Sequence, residues 1–217
     1  MLKAVIFDLD GTLGDTIALC VESFRRCAHE HTGRAPSAQE VLARFGVSDR
    51  GVLAALLGMS PEDPQLPVPR LAQIYEELHA QYAPAPFPGV VDMLHRLRDK
   101  GLRLALITGK EAFTAQPTLT RFGMQGVFDE LLYGTPTHNC KAESIAGLMQ
   151  RWQLSADEVV YVGDAPSDIE QSHRAGIRII SAAWATSAKA ESSACEALNP
   201  EYRLYDISDL EPLLATL

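Results

Sequence analysis

The stretch Val5-Ile6-Phe7-Asp8-Leu9-Asp10-Gly11-Thr12 constrains this chain more than any other. A β-branched and aromatic run reads as a buried strand, and here it ends abruptly in two carboxylates one residue apart. Close carboxylates repel each other and lose hydration on burial, so such a pair costs stability unless it holds a cation or supplies a nucleophile beside an acid–base group. The competing reading is a turn, because Asp-Gly is a common turn pair. The rest of the chain decides between them.

Four further segments read as strands: 103–108, 158–163, 178–182 and 202–205. The strands at 3–8, 103–108 and 158–163 are almost continuously apolar, as strands covered on both faces of a parallel sheet are. Amphipathic helical patterns over 90–100, 112–122 and 141–152 alternate with them. Pro117 predicts a kink or break in the second of these helices. Ser167 and Glu170 form a capping-box pattern that opens another helix, and Gly176 closes it. This alternation predicts an α/β fold, a doubly wound, mostly parallel, Rossmann-like sheet. Residues 15–86 break the pattern. They contain helical stretches at 17–31, 38–45, 49–57 and 70–82, no convincing strand, and a stiff connection at Pro61, Pro64, Pro67 and Pro69. We therefore expect an α/β core of residues 1–14 and 87–217 interrupted by an all-helical domain at 15–86.

Composition narrows the partners. With 217 residues, 47% hydrophobic and 22% charged, the chain can bury a sizeable core. Its net charge of −9 and the absence of a long basic run argue against nucleic acid. No stretch approaches the roughly 20 apolar residues of a membrane span, and the short N-terminal apolar run does not resemble a signal peptide. The cysteines at 20, 27, 140 and 195 form no C-x-x-C pair, which suits a reduced, cytoplasmic protein. An acidic protein binds a small phosphate only with local help from a metal, a lysine or helix N-termini.

That help lies at the carboxyl ends of the strands, where open parallel sheets bind ligands. The first strand ends at Asp8, the second at Thr108-Gly109, the third at Gly163-Asp164, and Lys141 opens a helix between the last two. Asp8, Asp10 and Asp164 suit Mg²⁺, a hard cation that prefers oxygen ligands. With a metal and Lys141 neutralising a phosphate, a carboxylate can attack it and Asp10 can handle the proton.

In order, these segments resemble the four motifs of the haloacid dehalogenase superfamily: Asp8-Leu9-Asp10-Gly11-Thr12 the first, Ile107-Thr108-Gly109-Lys110 the second, Lys141 the third, and Gly163-Asp164-Ala165-Pro166-Ser167-Asp168 the fourth. The helical insert falls where this family carries a cap. The resemblance implies a nucleophilic Asp8 that also ligates Mg²⁺, and an acid–base Asp10 whose carbonyl binds the metal. It further implies phosphate binding by Thr108, Gly109 and Lys141, metal ligation by Asp164, and support from Asp168. Lys110 competes with Lys141 for the phosphate. Arg44 and Arg50, in a cap turn, are candidates to meet a substrate's second anionic group. Ala142 follows Lys141 where many relatives have proline, and Gly14 stands where a larger apolar residue is common, suggesting a looser hinge.

Dehalogenating relatives lack the second aspartate, and phosphonate-cleaving ones use a cap lysine, whereas residues 15–85 contain no lysine. The expected function is thus Mg²⁺-dependent hydrolysis of a small, phosphoglycolate-like phosphomonoester. The partner is a small phosphorylated metabolite, and the chain a monomer or homodimer. A sugar phosphomutase is the alternative, and a non-catalytic phosphate-binding or phospho-signalling protein a more distant one.

Overall fold

The computed structural model describes residues 1–186 and 192–217. Six strands form one sheet: β1 (Ala4–Phe7), β2 (Arg103–Ile107), β3 (Glu130–Leu132), β4 (Val159–Gly163), β5 (Arg178–Ala182) and β6 (Tyr202–Leu204). Their order is β3-β2-β1-β4-β5-β6, and every pair is parallel. Both faces are covered, and β1 shows how. Val5 and Phe7 join a cluster with Leu94, Leu97 and Leu119, while Ala4 and Ile6 join another with Ile145, Leu148 and Ile169. The first layer includes α5 (Val90–Asp99) and α6 (Ala112–Arg121), and the second α7 (Lys141–Trp152) and α8 (Pro166–Ala175). Two short α-helices, α9 (Ser192–Ala197) and α10 (Leu210–Leu214), close the C-terminal part.

The sheet is wound in two directions from β1, so the order reverses between β1 and β4. At such a reversal the flanking connections leave in opposite directions and open a crevice at the carboxyl ends of the strands. Asp8 and Asp164 follow the two strands that meet there.

Between β1 and α5 lie α1 (Ile17–Thr32), α2 (Ala38–Leu42), α3 (Asp49–Leu57) and α4 (Val68–Tyr82). They enclose a hydrophobic cluster of their own, including Phe24, Val41, Leu53, Leu71 and Ile74. One edge of α1 and α4 also reaches the sheet, where Leu19, Cys20 and Tyr75 join its core. No described helix is long and apolar enough to cross a membrane.

The structure departs from the sequence expectations in four places. β3 is a strand that the sequence pattern did not reveal, because its three half-buried edge residues carry no alternation to read. Pro117 sits inside α6, which runs through it without a break. The missing N–H costs one helical hydrogen bond, and packing of α6 against α4 holds the turns on either side. Helix α8 starts at Pro166, ahead of Ser167, because proline presets the first-turn φ. Asp168 rather than Glu170 then accepts the Ala165 N–H, at 3.1 Å. Finally, a Cβ at Gly14 would meet the Phe122 ring at 2.4 Å. Close ring packing accounts for that glycine, where the sequence suggested a loose hinge.

Candidate active site

Two buried lysines organise the crevice. The ammonium of Lys141, at the start of α7, lies 3.0 Å from Asp8 Oδ2 and 2.6 Å from Asp168 Oδ1. Asp168 is fully buried, and its Oδ1 also faces the Tyr161 hydroxyl at 3.4 Å. That hydroxyl donates to the Ile107 carbonyl at 2.9 Å. Asp164 accepts from the Thr12 hydroxyl at 3.3 Å. Gly11, at φ +75°, lets the chain pass against the Asp164 carboxylate, which an added Cβ would approach to 2.1 Å.

Asp8, Asp164 and Asp168 each offer a carboxylate oxygen, and these oxygens lie within 4.8 Å of one another. One ammonium, that of Lys141, lies among these three carboxylates. Asp8 Oδ1 is buried with no hydrogen-bond partner. An unpaired buried carboxylate oxygen is costly, and a divalent cation with oxygen preference would satisfy it. Burial pushes the Asp8 carboxyl up to about 7, with Lys141 pulling the other way and Asp168 and Asp10 adding to the rise. Burial also opposes the charge on Lys141, but Asp168 and Asp8 outweigh it and hold its pKa well above the usual lysine range.

The second lysine, Lys110, is 3% exposed. Its ammonium lies 3.4 Å from Asp10 Oδ1, 3.0 Å from Cys20 Sγ and 4.4 Å from the centre of the Tyr75 ring. Asp10 Oδ1 also accepts from the Thr16 hydroxyl. Burial disfavours this ammonium too, and its neighbours, the Asp10 carboxylate foremost, more than compensate. The Cys20 thiol is pushed far above its ordinary range by burial. It is a packed, protonated group and not a nucleophile.

A cavity of about 130 Å³ opens beside these groups. The sheet side contributes Asp8, Asp10, Gly109, Lys110, Lys141 and Asp164 to its lining, with Asn139, Ala165 and Ser167. The helical insert contributes the rest. Thr108 is buried next to the cavity without lining it, and its hydroxyl accepts the Lys110 N–H at 3.2 Å. Arg44 and Arg50 do not line it either. Arg44 Nη1 donates to the Glu40 carbonyl at 2.6 Å, and Arg50 Nε lies 3.7 Å from Glu111 Oε2.

The insert is latched over the crevice by two helix N-termini that cap each other. Asp49, opening α3, accepts from the Glu111 N–H at 2.7 Å and the Thr114 hydroxyl at 2.5 Å, at the start of α6. Glu111 in turn accepts from the Ser48 hydroxyl at 2.6 Å and the Arg50 N–H at 3.1 Å. Ser48 N–H also donates to the Thr135 carbonyl at 2.8 Å. Sequence reasoning missed this latch, because each acid alone reads as an ordinary first-turn carboxylate. It also missed Tyr161, whose hydroxyl sits in a strand that reads as pure core, and, though it placed Thr12 in the first motif, it did not give the Asp164 carboxylate as that hydroxyl's acceptor.

A model of the family described as haloacid dehalogenase-like hydrolase matches residues 5–182. The chain is 28% identical over 213 residues to the phosphoglycolate phosphatase of Synechococcus elongatus, covering 96% of this chain and 95% of that one. It is 30% identical over 185 residues to the N-acetylmuramic acid 6-phosphate phosphatase of Pseudomonas aeruginosa, covering 82% and 80%. Among solved structures, a predicted phosphoglycolate phosphatase from Haemophilus somnus superposes with a TM-score of 0.75 at 20% identity, covering 98% and 97%. That likeness concerns the fold.

Proposed function

The chain belongs to the haloacid dehalogenase-like hydrolase family, and from that premise we propose that it hydrolyses small phosphomonoesters with Mg²⁺ through an aspartyl-phosphate on Asp8. The observation that carries this reading is the unpartnered, buried Asp8 Oδ1 beside Lys141 and the other two carboxylates. The reading also takes residues 15–86 as a cap on a core of 1–14 and 87–217.

Asp8, Asp164 and the Asp10 carbonyl would hold Mg²⁺, with Asp168 fixing Lys141 behind them. When bound, the cation neutralises phosphate charge that would otherwise repel the attacking carboxylate. Asp8 attacks phosphorus while the bond to the leaving oxygen breaks, and Asp10 gives that oxygen its proton. Asp10 then takes a proton from water as the water attacks phosphorus, and cleavage of the acyl-phosphate bond regenerates Asp8. Lys141 and the backbone at Thr108-Gly109 hold phosphoryl oxygens, and positioning of this kind carries most of phosphoryl transfer. The latch at Asp49 and Glu111 keeps the insert over the site and limits water on the leaving-group side.

Asp8→Asn keeps the shape and removes the nucleophile. It should reduce Mg²⁺-dependent hydrolysis of p-nitrophenyl phosphate by about 10³-fold or more. Full activity in that variant would refute the assignment.

A further inference from the structure

The helical insert's wall of the cavity is mostly apolar and, among the described residues, holds no cation. The insert lines the cavity with Ile17, Phe24, Phe45, Val47 and Val52, together with Cys20, Gly46 and Asp49. Phe24 and Phe45 pack edge to face at 6.4 Å. The two cations in the described lining, Lys110 and Lys141, are both engaged by carboxylates on the sheet side. Arg44 and Arg50 point their charges elsewhere. A leaving group with its own carboxylate or phosphate would lose its hydration against these side chains, and the one acid of that wall, Asp49, is already committed to the Glu111 N–H and the Thr114 hydroxyl and offers it no donor. An alkyl group there gains from leaving water.

Resting on the phosphatase reading above, we propose that the preferred substrate is a monoester of a short, uncharged alcohol with an apolar body, and that the Phe24–Phe45–Val47–Val52 wall selects against anionic leaving groups such as glycolate or a second phosphate. Phosphate binding and leaving-group recognition are then divided between the sheet and the insert. Charge is handled by one and hydrophobic contact by the other.

Steady-state kinetics with Mg²⁺ on n-propyl phosphate, phosphoglycolate and inorganic pyrophosphate test this, with p-nitrophenyl phosphate as the general reporter. The expected kcat/KM for n-propyl phosphate exceeds that for both anionic substrates by about tenfold or more. Equal or better hydrolysis of phosphoglycolate or pyrophosphate overturns the leaving-group assignment and leaves the phosphatase reading intact. Failure to hydrolyse any of the four removes that reading and this one together. Phe45 is partly exposed, at 38%, so Phe45→Arg is tolerable at its position. It should shift the ratio toward phosphoglycolate by about tenfold, mainly through KM. An unchanged ratio in the folded variant also overturns the proposal.

Discussion

The two lysine centres look alike and are built for different ends. Each buries an ammonium against a carboxylate and beside a tyrosine ring, Lys141 near Tyr161 and Lys110 near Tyr75. Around Lys141, three carboxylates cluster and one Asp8 oxygen is buried without a hydrogen bond. Around Lys110, the direct contacts are one carboxylate, a protonated thiol and a ring, so the charge there is already balanced. The first centre thus leaves a carboxylate oxygen open to a cation, while at the second the carboxylate faces its ammonium directly. On the proposed reading, this difference puts Lys141 on the attacking and metal-binding side and Lys110 on the side of Asp10, the proton-transferring acid.

The strongest way to break that comparison is Lys141→Met. Removing this ammonium leaves Asp8 and Asp168 buried without their shared partner, which costs about 3–5 kcal/mol. It also removes a donor to the phosphoryl group, worth about 10²–10³-fold in kcat. Because phosphate is common to all substrates, the loss should be equal for alkyl and aryl esters. A loss confined to alkyl esters, or none at all, would transfer the phosphate role back to Lys110.

Lys110→Met should act more weakly and in the opposite pattern. Asp10 keeps its Thr16 hydrogen bond but loses the ammonium that positions it. Proton donation matters most when the leaving oxygen is strongly basic. The rate on an alkyl phosphate should fall by about 10–100-fold, and that on p-nitrophenyl phosphate by much less. A uniform loss across both would show that Lys110 serves the phosphate, or the fold, and not Asp10.

How much of this was legible in the chain follows the same division. Asp8, Thr108 and Asp164 each end an apolar strand, and a parallel sheet brings such ends together whatever their separation in sequence. Their neighbourhood could therefore be read from 1–217 alone. Lys110 could be placed near the site but not assigned, because its partners Cys20 and Tyr75 come from α1 and α4, and no pattern in sequence couples those helices to the loop after β2. The latch between Asp49 and Glu111 was illegible for the same reason. So was the indifference of Arg44 and Arg50 to the cavity, since a guanidinium's direction depends on which acceptor it finds. Strand β3 lacked the length that makes a period readable.

The mildest effect separates the centres by stability rather than rate. Burial holds the Asp8 carboxyl up to about 7, above its ordinary value near 4. A carboxyl raised in the folded state contributes stability that is fully present below its unfolded pKa and lost as pH rises through the folded value. In metal-free protein the Asp8 contribution is therefore lost between about pH 4 and pH 7. Asp8→Asn cannot ionise, so it should raise Tm at pH 8 by about 2–4 °C per kcal/mol recovered, and change it little at pH 4. Mg²⁺ should stabilise the unmutated protein at pH 8 by binding the folded state, and stabilise Asp8→Asn less. Lys110→Met leaves the unpaired carboxylate in place, so it should retain the full Mg²⁺-induced rise in Tm. Thermal unfolding at pH 4 and pH 8, with Mg²⁺ and with chelator, reads all of these together. If Lys110→Met lost the Mg²⁺ response while Asp8→Asn kept it, the charge-deficient centre would be the one around Asp10, and the assignment of the two lysines would be reversed.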